Sequence, residues 1–422
     1  MKLTRKILEM KYTKILLFTT VFFLQAYLLR FSIGPYPSNL QEILIGITFL
    51  VFLIESLKEK NLIQKIKKTR NHWIILSFIG LTILSIILVP IKENLDLIRH
   101  LKFLFFAVVL GFIFLETFKS SKERKKAIKI AGLGAITFGI FSAVYNLLGY
   151  NVAHDLRLLG PLDAAVYLAY YLTPFFLFFT IQFFENPKNK ENFVCSIILL
   201  MLIFLTRSMG AIGGAFLVIF LYLTIRNWKK ILRNKKAKVI LTITAILLIG
   251  AVFYSKILPT ITTPYSSLDE RGEIWQTSAY LLEKPKNLFF GVGYGQFEYH
   301  YIQNVDNILG REPLDYNVIQ PHNIFLLFIF HYGILGLAFI TFCIYKTIRK
   351  ITKLKHKKLK IEQISLFILL YFFIHGLIDT PFYKNDLMIL LIIFLEMGLT
   401  KKEKIISNLK PNPKEHNTDL QL

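Results

Sequence analysis

The sequence predicts an all-α polytopic membrane protein, and three observations carry that prediction. Of 422 residues 54% are hydrophobic and 39 are phenylalanine, and the mean hydropathy is +0.51, more apolar surface than a soluble core of this length needs. The apolar residues fall into runs of ~17–25, the length that crosses the hydrocarbon layer as a helix. Between those runs, short turns collect the lysines and arginines.

Taken in order, the runs place about twelve transmembrane helices. They fall at roughly 13–32, 39–56, 72–91, 101–118, 127–147, 166–184, 192–206, 210–225, 238–256, 322–345, 362–379 and 386–399. The first run follows the basic stretch MKLTRKILEMKYTK in the manner of a secretory signal. No small-residue cleavage site follows it, so it reads as an uncleaved helix. The polar residues 401–422 read as a disordered tail.

Charge alternates with the runs. Segments 1–14, 57–71, 119–129, 185–191, 226–238, 346–360 and 400–422 hold most of the 51 Lys and Arg, on alternate connections. The positive-inside rule puts these turns and both termini in the cytoplasm. The same rule absorbs the net charge of +24, which in a soluble protein would suggest a nucleic-acid partner. None is expected here; the surrounding partner is membrane lipid. Cys195 and Cys343 both lie within apolar runs, so neither a disulfide, a metal site nor a cofactor is expected.

The longest connection, 257–321, lies between the ninth and tenth spans on the opposite, outer side. It carries four basic residues against eight acidic ones, which sets it apart from a generic polybasic surface. Residues 269–283 read as an interfacial helix with Ile274, Ser278, Leu281 and Leu282 on one face and Glu270, Glu273 and Thr277 on another. GVGYG supplies turns and Pro321 opens the next helix.

Four residues on that side are candidates for chemistry. His322 follows Pro321 at a helix start, where a neutral imidazole can take a proton from a hydroxyl; the plain alternative is an interfacial histidine that caps the helix. His331 and His375 lie deeper, and packing accounts for them. Arg207, in LTRSMGA at a span end, would cost ~2.5 kcal/mol or more if it faced lipid, so it faces a cavity or an anion. Arg271, and Arg157 in RLLGPLD, invite the same argument, with helix carbonyls and neighbouring carboxylates as the plain partners. Two or three guanidinium groups converging there would hold a phosphate or diphosphate in paired hydrogen bonds. GVGYG lacks the Lys-Ser/Thr of a nucleotide loop, so a lipid-linked donor fits better than a nucleotide. The small-residue sets Gly210–Gly213–Gly214 and Gly333–Gly336 read as places of close helix packing.

RGEIW, then KPKNLFFGVGYGQF and PHNIFLLFIFHYGILG, preceded by RLLGPLDAAVYLAYYL and LTRSMGAIGGA, resemble the motifs of the O-antigen ligase and O-antigen polymerase superfamily in their order. The resemblance spans roughly residues 150–400. It divides the chain into N-terminal helices 1–150, a ligase- or polymerase-like core 151–400 that includes the loop 257–321, and the tail 401–422.

It implies a GT-C-like membrane fold and a metal-independent, inverting glycosyl transfer at the periplasmic face of the inner membrane. The implied donor is a glycan on undecaprenyl diphosphate. The acceptor is a sugar hydroxyl of lipid A–core for a ligase, or another lipid-linked glycan for a polymerase. His322 is then catalytic, while Arg271 with Arg207 or Arg157 binds the diphosphate. One departure stands out: the family's Ser-Arg-Gly is Ser208-Met209-Gly210 here, with the arginine two residues earlier. Two residues turn a helix by about 200°, so Arg207 can serve only where the helix is irregular. A transporter or flippase is the rival of a different class. It calls for broken, charged helices at mid-membrane or an inverted repeat, and the sequence has neither.

Overall fold

The computed structural model describes residues 11–34, 36–59, 72–153, 156–233, 267–354, 358–380 and 383–400. The chain is mostly helical. Its long helices are α1 (Lys11–Phe22), α2 (Leu40–Lys58), α3 (Trp73–Leu88), α4 (Asn94–Thr117), α5 (Ser121–Leu147), α6 (Ala165–Glu185), α7 (Lys190–Leu205) and α8 (Met209–Arg233). After residue 266 come α9 (Ser267–Leu282), the short α10 (Pro285–Phe290), α11 (Phe297–Ile302) and α12 (Val305–Leu309), then α13 (Ile324–Thr352), α14 (Ile361–His375) and α15 (Asn385–Leu399).

Among the described residues six helices are long and apolar enough to cross a membrane: α2, α4, α5, α6, α8 through Arg226, and α13, with α3 and α14 as shorter apolar helices. The expected span at 238–256 and the tail 401–422 lie outside the described residues.

Local sequence sets the helix starts. Ser120 and Glu123 form a reciprocal capping box on α5, and Asn39 accepts from the Glu42 amide to open α2, each satisfying backbone donors that a helix start leaves unpaired. The first span departs from expectation. Its helix stops at Phe22, and a 3-10 turn, Leu24–Leu28, leads into a hairpin pairing β1 (Arg30–Ile33) with β2 (Tyr36–Asn39). Here Gln25 is buried and donates to Asp386 Oδ2 at 2.6 Å, while Gln41 donates to the Leu24 carbonyl. Polar side chains with fixed partners thus interrupt the apolar run.

α6 and α15 lie at the centre. Every residue from Leu168 to Gln182 and from Asp386 to Leu399 is buried, as expected of helices that are apolar all round. Gly210 and Gly214 let α8 approach His375 and Tyr371 of α14. Gly333, with φ 63 and ψ −153, breaks α13 internally and packs closely, as expected, against the Phe289 carbonyl, whereas Gly213 corrects the packing expectation by having nothing within 4 Å of an added Cβ. The turn after α10 enters that break, where the amides of Val292 and Gly293 both donate to the Phe330 carbonyl.

Ion pairs define two ends of the bundle. At one, Lys14 meets Glu123, Arg124 meets Glu362, Arg226 meets Glu185, and His72 lies between Glu116 and Glu396. At the other, Arg271 and His322 meet Asp379, Lys384 meets Asp163, and Lys102 meets Glu42.

Candidate active site

Asp379 organises the second end. α14 finishes at His375, and the following turn carries Asp379 back over it, with the Ile378 and Asp379 amides donating to the His375 carbonyl. The side chain of Asp379 is 7% exposed. Its Oδ1 lies 2.9 Å from His322 Nδ1 and accepts from the Thr380 amide, and its Oδ2 accepts from Arg271 Nη2 at 3.1 Å. Burial alone would raise this carboxyl. The His322 hydrogen bond and charge, then the Arg271 charge, outweigh it and hold Asp379 well below the usual carboxylate range.

His322 lies just before the helix, which begins at Ile324 behind an Asn323 cap whose Oδ1 accepts from the Phe325 and Leu326 amides. The expectation that Pro321 opens the helix is therefore corrected, because Asn is the stronger cap and leaves Pro321 and His322 in the approach. His322 takes φ 49, a left-handed turn that histidine enters more readily than bulkier residues. Three contacts hold that turn: Trp275 Nε1 donates to the Pro321 carbonyl, Asn323 Nδ2 to Leu377 O, and the Ile324 amide to Gly376 O. With Nδ1 facing an ionised carboxylate, the tautomer of His322 that carries its proton on Nδ1 presents Nε2 as the acceptor.

Arg271 is held as firmly. Beyond Asp379, its Nε donates to Ile378 O at 2.9 Å and its Nη1 to Ser267 O at 2.8 Å, with the side chain 18% exposed. A guanidinium has five N–H donors, and among the described residues three of them are met here. The helix that bears it, α9, forms as expected, but Glu273 and Thr277, assigned to its polar face, are buried. Glu273 pairs with Arg311 and accepts from the Leu314 amide at 2.8 Å, so its carboxylate closes the loop onto the helix.

The structure brings Arg157 into the same electrostatic neighbourhood. Desolvation and then the Asp315 charge raise the Glu270 carboxyl, while Arg271, His322 and Arg157 oppose them. Arg207 occupies the break between α7 and α8 with φ 51, which is the irregularity that its two-residue displacement calls for. The Arg157 loop and the Arg207 break are joined by the Leu158 amide donating to Leu205 O at 2.9 Å. Three residues past Arg207, Gly210 packs so closely on His375 that a Cβ there would lie 3.0 Å from the ring. All four residues expected from the sequence lie at this end of the bundle: Arg271 and His322 share one carboxylate, exposed Arg157 is within electrostatic reach of Glu270, and Arg207 is exposed at the break between α7 and α8. Asp379 itself was not expected, although a carboxylate ending an apolar run in GLIDTPFY is a signal of a buried partner.

A carboxylate-backed imidazole beside a partly satisfied guanidinium can take a proton from a hydroxyl and stabilise an oxyanion leaving group. In comparison with known proteins, residues 194–341 match the family model described as O-antigen ligase. The match contains Arg207, Arg271 and His322 and ends before Asp379. No curated protein matches the chain.

Proposed function

We propose that this chain, which carries an O-antigen ligase family domain across residues 194–341, is a glycosyltransferase that moves a glycan from undecaprenyl diphosphate to a sugar hydroxyl of a second glycolipid, as an O-antigen ligase does onto lipid A–core. The family covers O-antigen ligases and related polymerases, which are glycosyltransferase-like enzymes with lipid-linked glycan substrates. The observation that carries the reading is that one buried carboxylate, Asp379, is bonded at once to His322 and Arg271.

In this reading His322 Nε2 accepts the proton of the attacking hydroxyl while Asp379 holds Nδ1–H and steadies the imidazolium that forms. The hydroxyl oxygen bonds to the anomeric carbon as the bond to the diphosphate oxygen breaks on the opposite side, which inverts the anomer. The charge left on the diphosphate is met by Arg271 with Arg207 or Arg157, without a metal ion. The site then faces the periplasm, the side with fewer basic turns, and the basic end of the bundle faces the cytoplasm. About twelve spans in a GT-C-like arrangement, with the core at 151–400, complete the reading.

The test is transfer by purified protein in liposomes supplied with undecaprenyl-diphosphate-linked glycan and a lipid A–core acceptor. His322→Ala should abolish transfer while the protein still elutes as a folded species and melts cooperatively. Arg271→Lys should remain poor, because an ammonium cannot make the paired contacts. Glycan appearing on the second lipid supports ligation; longer glycans still on undecaprenyl diphosphate would show polymerisation, and full activity of His322→Ala would refute the assignment of the base.

A further inference from the structure

A second cation at this end of the bundle bears on how the substrate is recognised, an inference that rests on the transfer just proposed. Lys384 immediately precedes α15, five residues after Asp379. Its ammonium stands 3.7 Å from the centre of the Tyr167 ring and 5.8 Å from that of Tyr27, and its side chain is 14% exposed. Tyr167 lies within electrostatic reach of Asp379, so this aromatic seat adjoins the His322–Asp379–Arg271 site.

The ammonium's partner is lopsided. Among the described residues it donates to one carboxylate, Asp163 at 3.2 Å, whose side chain is 75% exposed. Buried Asp386 is also within electrostatic reach, with its Oδ2 accepting from Gln25 and its Oδ1 unpartnered among the described residues, but Asp163 acts on the ammonium more strongly. A cation withdrawn from water against aromatic faces is therefore balanced chiefly by a carboxylate that stands almost wholly in water, on the loop that carries Arg157. A pair with one partner standing in water gains little from its solvated carboxylate, and an ammonium has three N–H donors to offer. A phosphate monoester, with a charge of about −1.5 to −2 and three strong acceptor oxygens, outcompetes a single carboxylate for it.

We propose that Lys384, seated on Tyr167 and Tyr27, is a phosphate-binding subsite for the glycolipid substrate, and that Asp163 is the counter-ion this phosphate displaces. The phosphate is either a monoester on the acceptor sugar or part of the donor diphosphate. Its arrival frees Asp163, and with it the loop of Arg157, at the moment the arginines are needed for the leaving group.

The experiment measures transfer kinetics in liposomes with undecaprenyl-diphosphate-linked glycan and two acceptors, a lipid-anchored disaccharide carrying one phosphate monoester and the same molecule without it. Lys384→Gln should raise KM for the phosphorylated acceptor about tenfold, the loss of one charge-assisted contact, and leave the neutral acceptor unchanged. Asp163→Asn should lower that KM, and Lys384→Arg should restore most of what Lys384→Gln loses.

A rise in donor KM with both acceptors would instead assign the phosphate to the donor, and the subsite would stand. If Lys384 and Asp163 form only a structural tie, both variants weaken turnover alike on both acceptors without a KM change, and that result, or no effect of either, overturns the proposal. Should Lys384→Gln fail to fold, the sign of the Asp163→Asn effect decides alone. Failure of the wild type to transfer refutes the reaction itself and this subsite with it; activity without the KM signature refutes the subsite alone.

Discussion

Asp379 gives one carboxylate oxygen to His322 and the other to Arg271, so losing its charge frees the imidazole to rotate and leaves a partly buried guanidinium short of its counter-ion. Asp379→Asn should lower turnover on the order of a hundredfold by weakening the base and destabilise the fold by about 2 kcal/mol. The pH dependence follows from the direction of the shift. A carboxyl held below its ordinary range contributes stability that is fully present above its unfolded value, about 3.9, and is lost as pH falls through the lower folded value. The difference in thermal stability between wild type and Asp379→Asn should therefore stay constant from about pH 8 down to about 4 and close only below that. A gap that instead widens as pH falls from about 8 to 6 would mean that a histidine sets it, because a cation gaining a partner in the fold stabilises it below its unfolded value and loses that contribution as pH rises. Arg271 and His322 were legible in the sequence because a guanidinium and an imidazole stand out beside a glycine-rich, acidic stretch. Asp379 was not, because its two partners lie 108 and 57 residues away and its own neighbours read only as the polar end of an apolar run.

Most helices were legible from run length, since an apolar segment of sufficient length has one stable backbone solution in lipid. What escaped were the interruptions, whose causes lie elsewhere in the chain: the early stop of α1, tied to the Gln25–Asp386 contact, and the break at Gly333, which admits the turn after α10. Two glycines test this difference with opposite signs. Gly333 takes φ 63, and a Cβ there would collide with the Phe289 carbonyl, so Gly333→Ala should cost about 2 kcal/mol or more and displace the turn that ends in Tyr294. Gly213 lies within α8 with nothing within 4 Å of an added Cβ, so Gly213→Ala should be neutral or stabilise by up to about 1 kcal/mol. Thermal melts of the two variants in the same detergent provide the comparison. A Gly333→Ala loss no larger than that of Gly213→Ala would show that neither the left-handed backbone nor the approach of Phe289 is required there.

Across the whole molecule, chemistry and charge occupy opposite ends. The pairs Lys14–Glu123, Arg124–Glu362 and Arg226–Glu185 gather at one end the basic turns that the sequence places in the cytoplasm, and Asp379 with its partners stands at the other. The described helices flanking 234–266 fit this division, with Arg226 of α8 at the basic end and Arg271 of α9 at the Asp379 end. A mechanism that uses a lipid-linked donor at the periplasmic face requires the Asp379 end to face outward, and single reporter cysteines can decide it. The native Cys195 and Cys343 are both buried, 6% and 0% exposed, so they contribute little background to labelling by a membrane-impermeant maleimide. Lys122 and Glu312 are exposed at opposite ends. In right-side-out spheroplasts, Glu312→Cys should label and Lys122→Cys should not; in inverted vesicles the pattern should reverse. Labelling of both from one side would break the division of the bundle into two faces. The reverse pattern in spheroplasts would put the site in the cytoplasm, where the turns that flank it are the ones poorest in the lysine and arginine that the positive-inside rule expects there.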